Sequence, residues 1–388
     1  MHIDERTHTY TSGLEHTDDS AVNDYDLLCF SHLRWDFVFQ RPQHLMSRFA
    51  KNRRVFFIEE HVFTEGEAFM DLSQREDGLT VAVPHIPANI SRPEEVLRTL
   101  IKEFVETHCR SRIVKWYYSP LMFLATHHIE AEAIVYDCMD ELSAFKNAPP
   151  ELRTAEFQLF ADADLVFTGG RSLFHAKKIY HPDVHLFPSS IDVDHFARAL
   201  EGSGEPEDQA AIPTPRAGFA GVIDERFDRD LLAQLADLRP DWQFVIIGPV
   251  VKIREEDLPR RPNIHYLGAR SYSDLPEYLG GWQVAMMPFA INEATRYISP
   301  TKTPEYLAAG LPVVSTPIHD VVDPYERVGL VFIAETAEEF AFAVDEAHGI
   351  DLMDHRQRAR EYLSDNSWDD TFKGMSNRLN GLTALIPS

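Results

Sequence analysis

Ser299–Thr316 reads SPTKTPEYLAAGLPVVST, and its punctuation decides how the rest of the chain is parsed. Thr303 can cap a helix, Pro304 suits a first turn, and Gly310 with Pro312 just beyond can end it. The helix is then very short, and Val313-Val314 opens an apolar strand behind it. Such a helix has few packing positions, so its ends matter more than its faces. The amino end offers unpaired N–H groups and a partial positive charge, which seats a phosphate. Lys302 stands immediately before that end and adds a full charge. Glu305 falls in the first turn, where a carboxylate suits the dipole and can accept hydrogen bonds from a diol. A phosphate seat beside a diol acceptor describes a nucleotide-sugar site. The plainer alternative is a solvated lysine and a glutamate that only answers the dipole.

Working outward, the 388 residues exceed one ordinary core and suit two domains. Strand-like runs at 25–31, 55–59, 80–84, 113–118, 133–138, 165–168 and 184–187 alternate with helical patterns at 43–50, 94–109 and 151–162. This rhythm predicts a parallel sheet flanked by helices. At 201–216 the texture changes to EGSGEPEDQAAIPTPR, read as a linker. A second alternation follows, with strands at 217–223, 244–247, 265–267, 284–287, 313–315 and 330–333 and helices at 229–238, 273–279 and 337–347. The parsing is therefore a frayed terminus over 1–22, an N-terminal domain over 23–200, a linker over 201–216, a second domain over 217–365 and a tail helix over 366–388.

Composition excludes several classes. Hydrophobic residues at 44% supply two cores, and 37 basic against 62 acidic residues give a net charge of −25. That field repels nucleic-acid phosphates. Cys29, Cys109 and Cys138 are scattered and odd in number, which fits neither a disulfide framework nor a zinc site and points to a reducing compartment. The polar, acidic first residues lack the apolar core of a signal peptide, and no run approaches the length of a membrane span. The expectation is a cytoplasmic protein, with a location at the inner face of the membrane left open by basic-apolar stretches at 48–54 and 102–115. The eighteen histidines show no metal-ligand spacing, so neither a metal nor a cofactor is expected.

The run Pro300, Lys302, Glu305-Tyr306-Leu307-Ala308, Gly310, Pro312-Val313-Val314 resembles the donor-site segment of family 4 glycosyltransferases, in the form found among polysaccharide-building members. The first-domain segment WDFVFQRPQH, starting at Trp35, resembles a bacterial subgroup of the same family. Together these imply an α/β chain of the GT-B architecture: two Rossmann-like domains facing a cleft, with the last helix crossing back to the first domain. The nucleotide sugar would sit on the second domain and the acceptor on the first. UDP-sugar is favoured and GDP-sugar is the second choice. The implied acceptor is a saccharide or lipid-linked saccharide, to which the donor sugar would be transferred with retention of configuration and without metal.

The resemblance also assigns residues. Glu305 would hold the ribose diol, and Lys302 with the amides near Ser299 and Thr301 would hold the diphosphate. Gly221 closes the turn after the domain's first strand, where the family places an arginine and a lysine. Those places hold Val222 and Phe227, so Arg226, one residue off, is the substitute, unless it pairs with Asp224 or Asp228. Gly248-Pro249 and the pattern Asn263, Leu267-Gly268, Leu275-Pro276 would build the base slot. The family's paired glutamates, E-x7-E, leave Tyr297 in the first place, with Asn292 or Glu293 as stand-ins near the donor sugar. In the first domain Arg41 and His44 would face the cleft, and Asp140, following the strand that ends at Cys138, is the candidate to take the acceptor's proton. A sugar-nucleotide epimerase on the same fold and a non-catalytic nucleotide-sugar-binding protein are the alternatives. A dehydrogenase is disfavoured by the lack of a G-x-G-x-x-G turn.

Overall fold

The computed structural model describes residues 25–110, 112–202 and 204–384, and the expected frayed segment at 1–22 lies outside them. One sheet is built from β1 (Asp26–Ser31), β2 (Val55–Glu59), β3 (Val62–Thr64), β4 (Phe69–Glu76), β5 (Leu79–Pro87), β6 (Ile113–Tyr117), β7 (Ala133–Cys138), β8 (Leu165–Thr168) and β9 (Val184–Leu186). Its order is β3-β5-β2-β1-β6-β7-β8-β9, with β4 antiparallel beside β5 and the other pairings parallel. The second sheet holds β10 (Arg216–Ala220), β11 (Gln243–Ile247), β12 (Ile264–Gly268), β13 (Val284–Met287), β14 (Val313–Ser315) and β15 (Val331–Ile333). It runs β12-β11-β10-β13-β14-β15, parallel throughout.

β1 shows why these runs become strands. All its residues are buried, with Leu28 and Phe30 in the core on one face and Leu27 and Cys29 in the core on the other. A continuous apolar run is what a strand covered on both faces requires. In each sheet the order reverses beside the first strand, β1 lying between β2 and β6 and β10 between β11 and β13. Loops at the carboxyl ends of strands at such a switch point leave a crevice for ligands.

The expected parallel strands are present with small shifts at their ends. β3 and β4 went unread because FMDLSQRE is largely exposed and carries little apolar alternation. Helix Leu352–Leu363 also went unread, since its polar sequence buries only His355, Ala359 and Leu363. The stretch read as a linker is anchored in its second half. It carries the helix Glu207–Ala210, and Arg216 already belongs to β10. Gln209 within it is fully buried, accepting from Trp282 Nε1 and donating to Tyr278 O, both at 2.8 Å. Composition reports the Gly and acidic residues of this segment but not the hydrogen bonds that hold it.

The tail forms the helix Trp368–Thr383, started by Ser367, whose hydroxyl accepts from Asp370 N at 3.0 Å. Trp368, Met375 and Leu379 join the first-sheet core beside Leu45 and Phe49. Arg48 pairs with Asp369 at 2.6 Å. The last helix thus returns to the first domain, as the resemblance implied.

Candidate donor site in the interdomain cleft

The short helix spans Lys302–Ala308, with Thr301 at its N-cap position. It starts earlier than the sequence suggested. Thr303 does not cap it: its side chain is fully buried inside the first turn, with Oγ1 3.5 Å from Met287 Sδ. Consequently Lys302 belongs to the first turn rather than preceding it. Gly310 ends the helix as expected, at φ +74°. Tyr306 ties the helix to β10, its hydroxyl accepting from Ala220 N at 2.8 Å and donating to Ala220 O at 3.2 Å. This fixes the helix beside Gly221. Glu305 is 8% exposed and accepts from Lys302 Nζ at 2.7 Å.

Gly221 donates its N–H to Ile247 O at 2.9 Å, and Gly248 lies against it at φ +146°. A Cβ on Gly248 would stand 1.8 Å from Gly221 O, so only glycine fits. Two strand ends are thereby brought into backbone contact. Over them opens a cavity of about 530 Å³, bounded by Gly248, Pro249, Ala269, Arg270 and Leu275 and, from the first domain, by Trp35 to Phe39. Asn263 helps build its frame without lining it: its buried amide donates to the carbonyls of Ala236, Arg239 and Trp242 at 3.0–3.1 Å.

A second cavity of about 170 Å³ shares Val38, Phe39, Gly221, Val222, Tyr272 and Lys302 with the first. It brings together Glu305, Lys302, Arg226, Ser299, Thr301, His44 and Asp140. Arg226 points both ways of the sequence reading. It lines the cavity, and its guanidinium forks onto Asp224 at 2.7–3.1 Å. Asp140 is partly buried, and burial pushes its carboxyl up to about 6; Arg226 opposes that rise and Asp224 adds to it. His44 stacks on Trp368 with ring centres 4.5 Å apart. Burial, then Arg48 and His195, lowers it to about 3, so it is neutral at ordinary pH. An imidazole of this kind gives the cavity a wall rather than a charge.

Other assigned residues lie elsewhere. Arg41 is 1% exposed and is not among the residues lining either cavity. Its Nε and Nη2 grip Asp137 at 2.8–3.1 Å, and Nη1 donates to Phe187 O at 2.8 Å. The arginine expected to face the cleft instead fastens the helix Arg41–Ala50 to β7, because a buried carboxylate demands its fork. Tyr297 is partly buried and packs against the first-domain core, lining a separate cavity with Glu293. Asn292 is exposed and shapes its own turn, its Oδ1 accepting from Ala294 N and Thr295 N at 2.9 and 3.2 Å. Neither Asn292 nor Glu293 is among the residues lining the two cavities beside Lys302.

Sequence reasoning missed an aromatic seam that joins the domains. Phe39 and His44 of the first domain lie 5.3 and 5.9 Å from Tyr272 of the second, and Tyr272 stacks on His195 at 4.3 Å. Ser189 to Asp192, between the sheets, also line the smaller cavity. The signal available was Phe37 and Phe39, large side chains in a loop without helical spacing, which prove 52% and 42% exposed.

Residues 214–348 match the family model described as glycosyl transferases group 1. That match lies almost wholly within the second domain. The matched span contains Gly221, Arg226, Gly248, Lys302 and Glu305. The chain is also 25% identical over 224 residues to the putative teichuronic acid biosynthesis glycosyltransferase TuaH of Bacillus subtilis (strain 168), covering 53% of this chain and 55% of TuaH. It thus spans about half the length of that curated relative. Among solved structures it is similar to a sucrose-phosphate synthase from Thermosynechococcus elongatus, with TM-score 0.68, 13% identity and 93% and 100% of the two chains covered. A trehalose-6-phosphate structure from E. coli bound with UDP-2-fluoro glucose gives TM-score 0.68 at 11% identity, covering 94% and 100%. Anabaena Alr3699/HepE in complex with UDP and glucose gives 0.67 at 12%, covering 92% and 99%. At such identities the likeness is one of fold, and the fold is GT-B. Among the described residues there is no group of three or more metal-ligating side chains, and no helix is long and apolar enough to cross a membrane.

Proposed function

We propose that this protein is a nucleotide-sugar-dependent glycosyltransferase that builds a polysaccharide, with UDP-sugar as the favoured donor. The observation that carries the reading is the convergence, in one cleft, of Lys302, Glu305 and the touching turns at Gly221 and Gly248 with Asp140 from the opposite domain. The base enters the larger cavity, where the backbone at Ala269 and Arg270 borders it. Glu305 accepts from the ribose diol. Lys302 and Arg226 counter the charge that grows on the leaving diphosphate, which is the electrostatic part of the catalysis. Asp140 accepts the proton of the acceptor hydroxyl as its oxygen bonds to the anomeric carbon and the bond to the diphosphate breaks. Family resemblance supports retention of configuration and no requirement for metal. The choice of UDP draws support from the ligands named for the similar E. coli and Anabaena structures, and a polysaccharide product from the likeness to TuaH.

The test is release of UDP from UDP-sugars in the presence of saccharide acceptors. Turnover should fall at least a hundredfold in Asp140→Asn while UDP still binds. An Asp140→Asn protein with unchanged turnover would remove Asp140 from the mechanism. Absence of turnover by any nucleotide sugar, with UDP bound, would favour the non-catalytic binding alternative.

A further inference from the structure

Beside the donor cleft lies a third cavity of about 450 Å³ that the chemistry above does not use. It begins where the cleft ends, on both domains. Glu141 of its wall follows Asp140 of the cleft in the chain, and Tyr297 precedes Ile298 and Ser299. The wall of this cavity is thus continuous along the chain with the wall that carries Asp140.

Its lining has two parts. Phe157 and Tyr180 form an edge-to-face pair, with ring centres 5.3 Å apart and planes at 82°, and both are exposed, at 55% and 46%. Two large rings held together, Tyr180 also backed by Phe160, present apolar faces that the described residues leave open to solvent. Beside them Glu141 and Glu156 are fixed by Lys177, which is 4% exposed and stands 2.6 and 2.8 Å from the two carboxylates. The Ser143 hydroxyl donates to Glu141 Oε1 at 2.7 Å, and Tyr136 donates to Glu156 Oε1 at 2.8 Å. Each carboxylate oxygen has two lone pairs, so these groups are held in place with acceptor capacity left over. Fixed hydroxyl acceptors beside open aromatic faces match the two sides of a pyranose, its hydroxyl rim and its C–H face.

Charge narrows the class. Glu141, Glu156 and Glu293 face Lys177 and Arg153, so the cavity carries more carboxylates than cations. Lys177 is already engaged by two of those carboxylates. A uronate or phosphorylated sugar would enter against like charge.

Resting on the transferase reading above, we propose that this cavity seats the acceptor, and that the acceptor's terminal sugars are uncharged. The experiment is an array of neutral hexose oligosaccharides and their uronate-containing counterparts, probed with the full chain at saturating UDP. Neutral glycans should bind and uronate glycans should bind at least tenfold more weakly. Phe157→Ala combined with Tyr180→Ala should weaken neutral-glycan binding at least tenfold while leaving the thermal shift given by UDP unchanged. Glu293→Lys, at a side chain 77% exposed and therefore safe for folding, should narrow the neutral-over-uronate preference. Preference for uronate glycans, failure to bind any neutral glycan, or full binding by the aromatic double variant would overturn the proposal. Loss of the UDP shift in the wild type would instead overturn the donor reading, so the two failures are distinguishable.

Discussion

Lys302 Nζ donates to Glu305 Oε2 at 2.7 Å across the first turn of one short helix, so the two groups assigned to the diphosphate and the ribose hold each other. The pair is part-buried, and each member fixes the rotamer of the other. The proposed donor role requires Lys302 to turn to phosphate and Glu305 to the diol. Hydrogen bonds to charged groups are worth about 1.5–3 kcal/mol, and about 1.4 kcal/mol is tenfold in affinity. Lys302→Ala is expected to weaken UDP binding roughly tenfold to a hundredfold by calorimetry. A Lys302→Ala protein that binds UDP at wild-type strength would remove the lysine from the site.

Arg41 supplies a contrasting prediction, because its bonds to Asp137 and Phe187 are structural. Removing one partner of a buried pair leaves the other charge uncompensated, at a cost of about 3–5 kcal/mol. Arg41→Ala should therefore lower the unfolding free energy measured by denaturant titration by that amount, and the folded fraction should still bind UDP. Loss of UDP binding with unchanged stability would restore Arg41 to the cleft.

Asp140 gives a pH signature. Its folded carboxyl is raised to about 6, so the folded state holds the proton more tightly than the unfolded chain does. Stability on this account is greatest at low pH and is lost as pH rises to about 6. After discounting for partial exposure, Asp140→Asn should gain about 1–2 kcal/mol over the wild type at pH 8 and nothing below pH 4. Transfer needs the ionised form, so the wild-type rate should climb through about pH 6 and the residual rate of Asp140→Asn should not. A wild-type rate flat across that range would contradict the assignment.

Asp320 of the second domain reaches the first, its Oδ1 accepting from Ser172 N at 3.0 Å. At the same contact a Cβ on Gly170 would stand 2.4 Å from Asp320 Oδ2 and 2.8 Å from the Ser299 Cβ. Gly170→Ala should thus part the domains, and closure is what excludes water from the cleft. Small-angle scattering should show a larger radius of gyration, and donor hydrolysis should rise relative to transfer. An unchanged radius and partition would show that this contact does not hold the cleft shut.

The fold was legible where burial is symmetrical. Apolar runs such as β1 and β13 announce covered strands, while FMDLSQRE hides a strand because much of it faces solvent. That Glu305, Lys302, Gly221 and Gly248 come together around the two cavities could be read because short turns and one short helix fix their spacing. Arg41 could not, since its partner Asp137 is 96 residues away. Nor could the replacement for the family's first glutamate be chosen from sequence. Tyr297 turns toward the first-domain core, a contact made across domains that no local pattern records.

The most direct measurement is a thermal-shift panel of UDP, GDP, ADP and their sugars on the wild type and Glu305→Ala. A ligand at a hundred times its dissociation constant stabilises by about 2.7 kcal/mol. The account predicts that UDP and UDP-sugars raise the wild-type midpoint and that Glu305→Ala loses the rise. No shift with any nucleotide at millimolar concentration, or an equal shift in Glu305→Ala, would contradict it.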